Sequence, residues 1–477
     1  MSTMTLPASE IIEKDRNHVW HHLSQHSVLK HQDPLIMEKG VGSRVWDAKG
    51  NSYLDASSGG VWCVNVGYGR AEIADAIRDQ VVKLNFFAST AGTEPGAEFA
   101  EKLLEKMPGM SRVYYASSGS EANEKAFKMV RQIAQQKHGG KKYKILYRER
   151  DYHGTTIAAL SATGQEERRM HYGPFVPGFV EFPHCCEYRS QFGDVSNYGV
   201  LAANELEKVI LREGPDTVGA VVFEPITAGG GVITPPEGYW PAVMEICKKY
   251  NILIHMDEVV CGMGRTGKWF GYQHYGIKPD IVTLAKGIAS SYAPISCVVT
   301  TEALFNEFIA DSSDRSAYFR DVSTYAGCTA GPAAALANLK ILEREDLVNN
   351  SAQMGDYLLK KLVTLKDKYS IIGDVRGKGL LLGIELISDN TTKKPVAEEV
   401  AIKIAGMCMK KGLIIGRTNR SFTDFNNTLC LCPVLTLTQK EADFIVTTLD
   451  AVFSELLGAA DLLSSTRLQS EGVLSKV

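Results

Sequence analysis

The alternation of apolar and polar positions divides the chain into three parts. Residues 8–30 have the spacing of an amphipathic helix, and residues 40–55 alternate as a β-hairpin around the turn Lys49-Gly50-Asn51. Between about residues 71 and 330, short apolar runs alternate with helical periods. The runs cover 112–117, 143–149, 217–225, 251–258 and 280–286. This pattern predicts an α/β fold, with a mostly parallel sheet covered by helices on both faces.

The C-terminal third has a different pattern. Two strands in IIGDVRGKGLLLGIELI lie between helical stretches, which predicts a smaller α+β domain over about residues 331–457. The last twenty residues are expected to form a loosely attached tail. We therefore predict an N-terminal segment (1–70) that joins the small domain, a large domain (71–330) and a C-terminal small domain with its tail (331–477).

Composition narrows the class of protein. The 477 residues are 44% apolar and 22% charged, which indicates a globular chain with more than one hydrophobic core. The net charge of −3 and the scattered lysines and arginines argue against nucleic-acid or membrane binding. The ten cysteines, including Cys185-Cys186 and Cys430-x-Cys432, lack the spacing of a metal site. With no signal peptide or apolar run of roughly 20 residues, we expect a cytoplasmic protein without a metal.

Charged residues follow two of the apolar runs. NILIHM leads into Asp257, and DIVTLA leads into Lys286-Gly287. Ligands of α/β sheets bind beyond the carboxyl ends of the strands, where a buried charge must be paired. A structural Asp-Lys ion pair is one interpretation. The other is a cofactor site, because a partly desolvated lysine can form a Schiff base with an aldehyde and a carboxylate can keep a pyridine nitrogen protonated.

Such a cofactor also needs a phosphate site. RVYYASSGSEANEKAFK predicts a strand, a turn and a helix that begins near Glu121, so Ser118, Gly119 and Ser120 are candidate phosphate ligands. An ordinary helix cap is the alternative. Tyr152 follows the strand YKILYRE, where it could stack on the pyridine ring or simply pack in the core.

Five motifs, in chain order, carry a family resemblance: SSGSEAN, YHGTT, FEPITAGGG, MDEVVCGMGRTG and TLAKGIASSYAPI. They resemble the class III (omega) aminotransferases of fold type I, which use pyridoxal 5'-phosphate, and the likeness covers about residues 15–455. The resemblance implies that Lys286 holds the cofactor as a Schiff base and later moves a proton at the substrate's amine-bearing carbon. It also implies that Asp257 pairs with the pyridinium nitrogen and that Val259 packs on the ring face opposite Tyr152.

Further site residues follow from the same resemblance. Gly119 and Ser120 would bind the phosphate together with Thr324 of the neighbouring subunit, which implies a homodimer and leaves pairing into tetramers open. Glu224 of FEPI matches an acid that lies near the cofactor and can pair with a mobile arginine. The chain departs from the family at Cys328-Thr329, where many members have His-Pro, and at Val260, where many have Gln. The second departure is typical of the omega-amino acid:pyruvate branch.

The substrate is inferred from two segments. SSGGVWCVNVGYG resembles a signature of the omega-amino acid:pyruvate branch, in which Trp62 would line the substrate pocket; a core tryptophan is the alternative. In GLIIGRTNRSF we expect Arg417, or else Arg420, to bind the substrate anion, because a guanidinium binds oxyanions through paired hydrogen bonds. Gly416 occupies the slot where the family has its arginine, so an ordinary surface arginine remains an alternative.

Over its full length the chain most resembles family members that use taurine and pyruvate. This implies a ping-pong reaction that gives sulfoacetaldehyde and L-alanine. The alternatives are β-alanine or another omega-amino acid as donor, a pyridoxal phosphate-dependent mutase or decarboxylase, and a non-catalytic binding protein. Gly377-Lys-Gly379 mimics a nicotinamide-binding fingerprint but follows no βαβ start, so it predicts a turn.

Overall fold

The computed structural model describes the backbone of residues 6–309, 313–314, 318–418 and 427–473, with side chains as far as residue 458. Its helices are α1 (Ala8–His18), α2 (His26–Leu29), α3 (Ala71–Lys83), α4 (Glu94–Leu104), α5 (Gly119–Lys137), α6 (Ile157–Ser161), α7 (Glu166–Arg169), α8 (Tyr198–Glu213), α9 (Tyr239–Lys249), α10 (Glu302–Asn306), α11 (Ala330–Arg344), α12 (Leu347–Lys368), α13 (Glu398–Lys410) and α14 (Gln439–Val473). Its strands are β1 (Met37–Val41), β2 (Arg44–Asp47), β3 (Ser52–Asp55), β4 (Arg112–Ala116), β5 (Lys144–Arg148), β6 (Phe179–Phe182), β7 (Val218–Phe223), β8 (Leu253–Asp257), β9 (Ile281–Leu284), β10 (Ser296–Thr300), β11 (Ile372–Lys378), β12 (Leu381–Leu386), β13 (Leu413–Ile414), β14 (Gly416–Thr418) and β15 (Asn427–Leu431).

A seven-stranded sheet in the order β4-β10-β9-β8-β7-β5-β6 forms the centre of the molecule. The strands β5 to β9 are parallel to one another, and β10 is antiparallel to both β4 and β9. The mostly parallel sheet is therefore confirmed, whereas the reversed strand β10 was not predicted. Because β4 and β9 both oppose β10, the carboxyl ends of β4, β7, β8 and β9 meet at one edge of the sheet.

Both faces of this sheet are covered, as the continuous apolar runs predicted. All six residues of β7 are buried. Ala220 and Val222 belong to the core that includes Phe127 of α5, while Val221 and Phe223 belong to the core that includes Trp240 of α9. Successive side chains of a strand point to opposite faces, so an uninterrupted apolar strand serves two cores at once.

Two smaller sheets complete the fold. The first has the order β1-β2-β3-β13 and contains the predicted hairpin, β2–β3, whose turn is closed by a hydrogen bond from Gly50 N to Asp47 O (2.9 Å). Its last strand, β13, pairs in parallel with β3, so the N-terminal segment is joined to a strand from the C-terminal part. The second sheet is antiparallel, in the order β11-β12-β15-β14.

Two expectations about helices differ from the structure. The helix expected over residues 8–30 is interrupted, because Val19 is extended and Leu23 has a φ of 53°, a left-handed conformation that no helix tolerates. The last twenty residues, expected as a tail, continue α14 as far as Val473. Within the residues that the structure describes, no helix is long and apolar enough to cross a membrane.

Candidate active site

The segments that follow β4, β8 and β9 meet at the carboxyl edge of the central sheet. A Cβ atom added to Gly119 would lie 3.2 Å from both Cγ atoms of Val259 and 3.7 Å from Cβ of Ala285. Asp257 pairs with Thr283 across β8 and β9, so the carboxylate and the lysine segment leave the sheet side by side. The structure thus brings together three motifs that are up to 168 residues apart in the sequence (Gly119 to Gly287).

Asp257 is buried at the end of β8 and accepts three hydrogen bonds. Its Oδ2 accepts from Asn123 Nδ2 and His153 Nδ1, each at 2.8 Å, and its Oδ1 accepts from the backbone N–H of Val259 at 3.0 Å. Burial raises the pKa of Asp257, but the hydrogen bond and charge of His153, with the bond from Asn123, outweigh burial and hold that pKa below its usual value. The geometry therefore keeps Asp257 ionised.

The partners of Asp257 were not singled out in the sequence. His153 follows Tyr152 in YHGTT, and Asn123 ends SSGSEAN, so both lie in motifs that were recognised for other residues. Asn123 is itself oriented by Thr283, whose hydroxyl donates to its Oδ1 at 2.9 Å. The only signal in the sequence was that these polar residues stand inside the motifs.

The first turn of α5 has the form of an anion site. Ser118 is the helix cap, and its hydroxyl accepts a hydrogen bond from Glu121 N at 3.2 Å. Gly119 and Ser120 follow in the first turn, whose N–H groups have no partner within the helix and carry the positive end of its dipole. The hydroxyl of Ser120 also accepts from Thr155 N at 3.0 Å, which ties the YHGTT loop to this turn.

Lys286 stands at the start of a short 3₁₀ turn directly after β9, with a φ of 50°. Its Nζ lies 5.4 Å from the centroid of the Trp62 ring. The turn packs against two asparagines from distant segments. Asn338 Nδ2 donates to the carbonyl oxygen of Gly287 at 2.9 Å, and a Cβ at Gly287 would lie only 2.4 Å from Asn65 Nδ2. Glycine is therefore required beside the lysine.

Trp62 is carried by a turn of unusual backbone conformation. Asp55 accepts hydrogen bonds from the backbone N–H groups of Ser57 (2.8 Å) and Gly59 (2.7 Å), and Trp62 itself has a φ of 63°. The ring packs against an apolar cluster that includes Val260, one of the departures from the family pattern. Within the described part of the chain, the buried Nε1 of Trp62 has no hydrogen-bond partner.

Tyr152 and Glu224 are joined at the edge of the site. The backbone N–H of Tyr152 donates to Glu224 Oε1 at 2.9 Å, and that of Ala228 donates to Oε2 at 3.1 Å. Burial and the charges of Asp151 and Asp257 raise the pKa of Glu224. In this structure Glu224 therefore holds two loops together at the end of β7.

The segment around Thr324 lies at the surface. Thr324 is exposed, and Thr329 donates its backbone N–H to the carbonyl oxygen of Asn85 at 3.1 Å. Cys328 forms an isolated bridge with Phe86. The Cys328-Thr329 departure thus links this segment to residues 84–86, with a backbone N–H that proline would lack.

The structure places Arg417 differently from our expectation. Its Nη1 pairs with Glu398 Oε1 at 2.6 Å, whereas a Cβ at the preceding residue, Gly416, would lie 3.7 Å from Trp62 Nε1. Because successive residues of a strand point to opposite faces, Arg417 points away from Trp62. The fallback, Arg420, lies outside the described residues.

The assembled residues fit a phosphorylated pyridine aldehyde. Lys286 supplies an amine at a strand end, and Asp257 supplies a carboxylate that its hydrogen bonds keep charged for a ring nitrogen. The N-terminus of α5 supplies the backbone N–H groups of Gly119 and Ser120 for a phosphate. Lysine, carboxylate and helix N-terminus are the three features that such a cofactor requires.

Comparison with known proteins agrees with this arrangement. Residues 26–453 match the model of the family described as aminotransferase class-III. The chain is 60% identical to the hypotaurine/taurine–pyruvate aminotransferase of Paracoccus denitrificans, over 94% of this chain and 97% of that protein. It is 58% identical to the taurine–pyruvate aminotransferase of Bilophila wadsworthia, over 94% and 98% of the two chains.

Solved structures show the same fold. An aminotransferase of Bacillus anthracis superposes with a TM-score of 0.90 at 40% identity, over 95% of this chain and all of that one. The omega transaminase of Pseudomonas jessenii, solved in complex with PMP, has a TM-score of 0.88 at 34% identity, over 93% and 98% of the two chains. The chain therefore belongs to the class III aminotransferases, enzymes that depend on pyridoxal 5'-phosphate.

Proposed function

We propose that this aminotransferase transfers the amino group of taurine to pyruvate and forms sulfoacetaldehyde and L-alanine in a ping-pong cycle. The observation that carries the proposal is the 60% identity to the Paracoccus denitrificans enzyme over 94% of the chain. The position of Trp62, with its ring 5.4 Å from Lys286 Nζ, supports an aromatic wall beside the reacting amine.

The roles of the central residues follow from their positions. Pyridoxal phosphate supplies an electron sink that stabilises negative charge at the amine-bearing carbon of the donor. Lys286 Nζ would hold the cofactor covalently and would take and return the proton at that carbon. Asp257, ionised and buried, would keep the ring nitrogen protonated. Tyr152 and Val259 would contact the two faces of the ring.

The phosphate would be bound by both subunits. We assign it to the N-terminal turn of α5, at Gly119 and Ser120, together with the partner subunit's Thr324. Two exposed apolar side chains support this homodimer. Val322 and Tyr325, which flank the Thr324 segment, are 78% and 73% exposed although both are apolar. A monomer would leave this surface in water, so a second copy of the chain is the natural partner.

The dimer has a direct test. Changing Tyr325 to Asp would place a charge in the centre of this surface, and we expect sedimentation velocity to show monomers that retain little cofactor. A variant that stays dimeric with full cofactor would contradict the assigned surface. The same measurement on the unaltered protein distinguishes a dimer from a tetramer.

The cysteines support a reducing compartment. All ten are free thiols, and eight of them are buried. Free thiols in this number are expected of proteins kept in reducing surroundings, so we retain the cytoplasm as the proposed location. Fractionation of cells that express the tagged chain would test it.

The amine donor is decided by a substrate panel. We expect L-alanine formation from pyruvate with taurine and hypotaurine at a higher kcat/KM than with β-alanine or 4-aminobutyrate. Lys286→Ala is the control, and it should abolish both turnover and the visible absorbance of the lysine-bound cofactor. Equal or better use of β-alanine would replace taurine as the donor, and an unchanged absorbance band in the lysine variant would refute the cofactor site.

A further inference from the structure

A sulfonate in the substrate pocket needs a cation, and most of the nearby arginines already have partners. Arg417 faces Glu398 on the other side of β14. Arg148 is fully buried in an ion pair with Asp151, at 3.0 Å. Neither guanidinium is available to a substrate anion.

Two more buried arginines are also engaged. Arg265 donates to Asn65 Oδ1 at 2.9 Å and to the carbonyl oxygen of Leu380 at 3.1 Å. Arg376 pairs with Glu385 at 2.7 Å. These side chains hold the fold around the site, and a ligand could recruit them only by breaking buried hydrogen bonds.

Arg168, in α7, has a different environment. Its guanidinium carbon lies 4.8 Å from the centroid of the Tyr152 ring, and its Nε donates to Gln165 Oε1 at 3.2 Å. Within the described part of the chain, no carboxylate forms an ion pair with Arg168, and no hydrogen bond from its two Nη atoms is found. The stacking and the Nε bond orient the planar group and leave both terminal nitrogens for a ligand.

Gln165 connects this guanidinium to the Trp62 pocket. A Cβ added to Gly229 would lie 3.0 Å from Gln165 Nε2 and 3.8 Å from Cη2 of Trp62. Gln165 is buried, and its Nε2 is fixed by the carbonyl oxygen of Arg150 at 3.0 Å. Gln165 and Trp62 therefore both border the space at Gly229, and Gln165 links this space to Arg168 through the Nε hydrogen bond.

We propose that Arg168, stacked on Tyr152 and oriented by Gln165, binds the sulfonate of the amine donor. The proposal rests on the proposed function, because it names the group that would recognise the taurine anion. A sulfonate has three oxygens that accept hydrogen bonds, and the two Nη atoms of a guanidinium can donate to two of them at once. The stacking on Tyr152 places this cation next to the residue expected to contact the cofactor ring.

Ethanesulfonate provides a test that does not depend on turnover, because it has the anion of taurine without the amine. We expect Arg168→Ala to raise its dissociation constant from the holoenzyme about 10- to 100-fold, the effect of losing hydrogen bonds to a charged group. The kcat/KM for taurine should fall by a similar factor. Arg417→Ala is the matched control, in which both quantities should stay unchanged.

The outcomes are distinguishable. Equal dissociation constants in the wild type and in Arg168→Ala, with the same cofactor absorbance per subunit, would overturn the proposal. So would a wild type that does not bind ethanesulfonate, or a loss confined to Arg417→Ala. A wild type that binds ethanesulfonate through Arg168 but does not turn over taurine would refute the proposed function and leave the anion site in place.

Discussion

The ionisation of Asp257 should depend on His153, a residue that lies 104 positions before it in the sequence. His153 Nδ1 and Asn123 Nδ2 both donate to Oδ2 of the carboxylate at 2.8 Å. In His153→Leu the side-chain volume is nearly kept and one of these donors is lost. Hydrogen bonds to charged groups contribute about 1.5–3 kcal/mol, which corresponds to about 10- to 100-fold in the equilibrium between the protonated and ionised forms.

The direction of the effect follows from the depressed pKa of Asp257. Burial favours the neutral acid, and His153 contributes most to offsetting it. Without His153 the pKa of Asp257 rises, so the carboxylate becomes protonated at a higher pH than in the wild type. A carboxyl group whose pKa is depressed by folding stabilises the folded protein at pH values above its unfolded pKa of about 3.9, and this stabilisation is lost as the pH falls through the folded-state pKa. In the variant that loss occurs at a higher pH than in the wild type.

The assay is the pH profile of kcat/KM with a saturating acceptor. We expect the acid limb of His153→Leu to move to higher pH, with activity largely recovered at alkaline pH. His153→Asn is the matched control, because its amide nitrogen can donate from nearly the same position as Nδ1 and should restore the acid limb. A folded His153→Leu enzyme with an unshifted acid limb would refute the assignment of His153.

Three further predictions concern the scaffold of the site. Gly287→Ala would place a Cβ 2.4 Å from Asn65 Nδ2 and should displace the adjoining lysine, so we expect a folded protein with little visible cofactor absorbance. Ser118→Ala removes the hydroxyl that caps α5 at 3.2 Å and should lower the free energy of unfolding by about 1 kcal/mol, measured by urea denaturation. Asp151→Leu leaves Arg148 buried without its ion-pair partner and should cost about 3–5 kcal/mol, whereas the double variant with Arg148→Met should recover part of the loss. No recovery in the double variant would show that the pair does not act as a unit.

The sequence determined the elements that depend on local pattern. Five apolar runs predicted strands of the central sheet, and the residues that terminate two of them, Asp257 and Lys286, are those at its carboxyl edge. Hydrophobic periodicity and strand ends are properties of short windows, so they can be read without knowledge of the fold. The glycine and serine turn before α5 belongs to the same class.

Other features depended on residues that are distant in the chain. The backbone N–H of Asn65 donates to Ser290 Oγ, four residues after Lys286, across 225 positions, and His153 holds Asp257 across 104. Strand β10 is antiparallel to its neighbours, and its apolar pattern does not indicate this direction. Such pairings are set by topology, because a buried strand has the same pattern in either direction.

The arginines show most clearly what the tertiary structure decided. In the sequence, Arg417 lies one position after the residue at which the family has its substrate-binding arginine. In a strand, a shift of one residue reverses the face to which the side chain points. The structure therefore directs Arg417 to Glu398 and leaves Gly416 beside Trp62. Arg168 does not belong to any of the motifs recognised in the sequence. Only the packing of α7 against Tyr152 brings its charge to the site. Local pattern fixed the chemistry of the lysine and the carboxylate, whereas the side-chain contacts around the substrate arose from packing between distant segments.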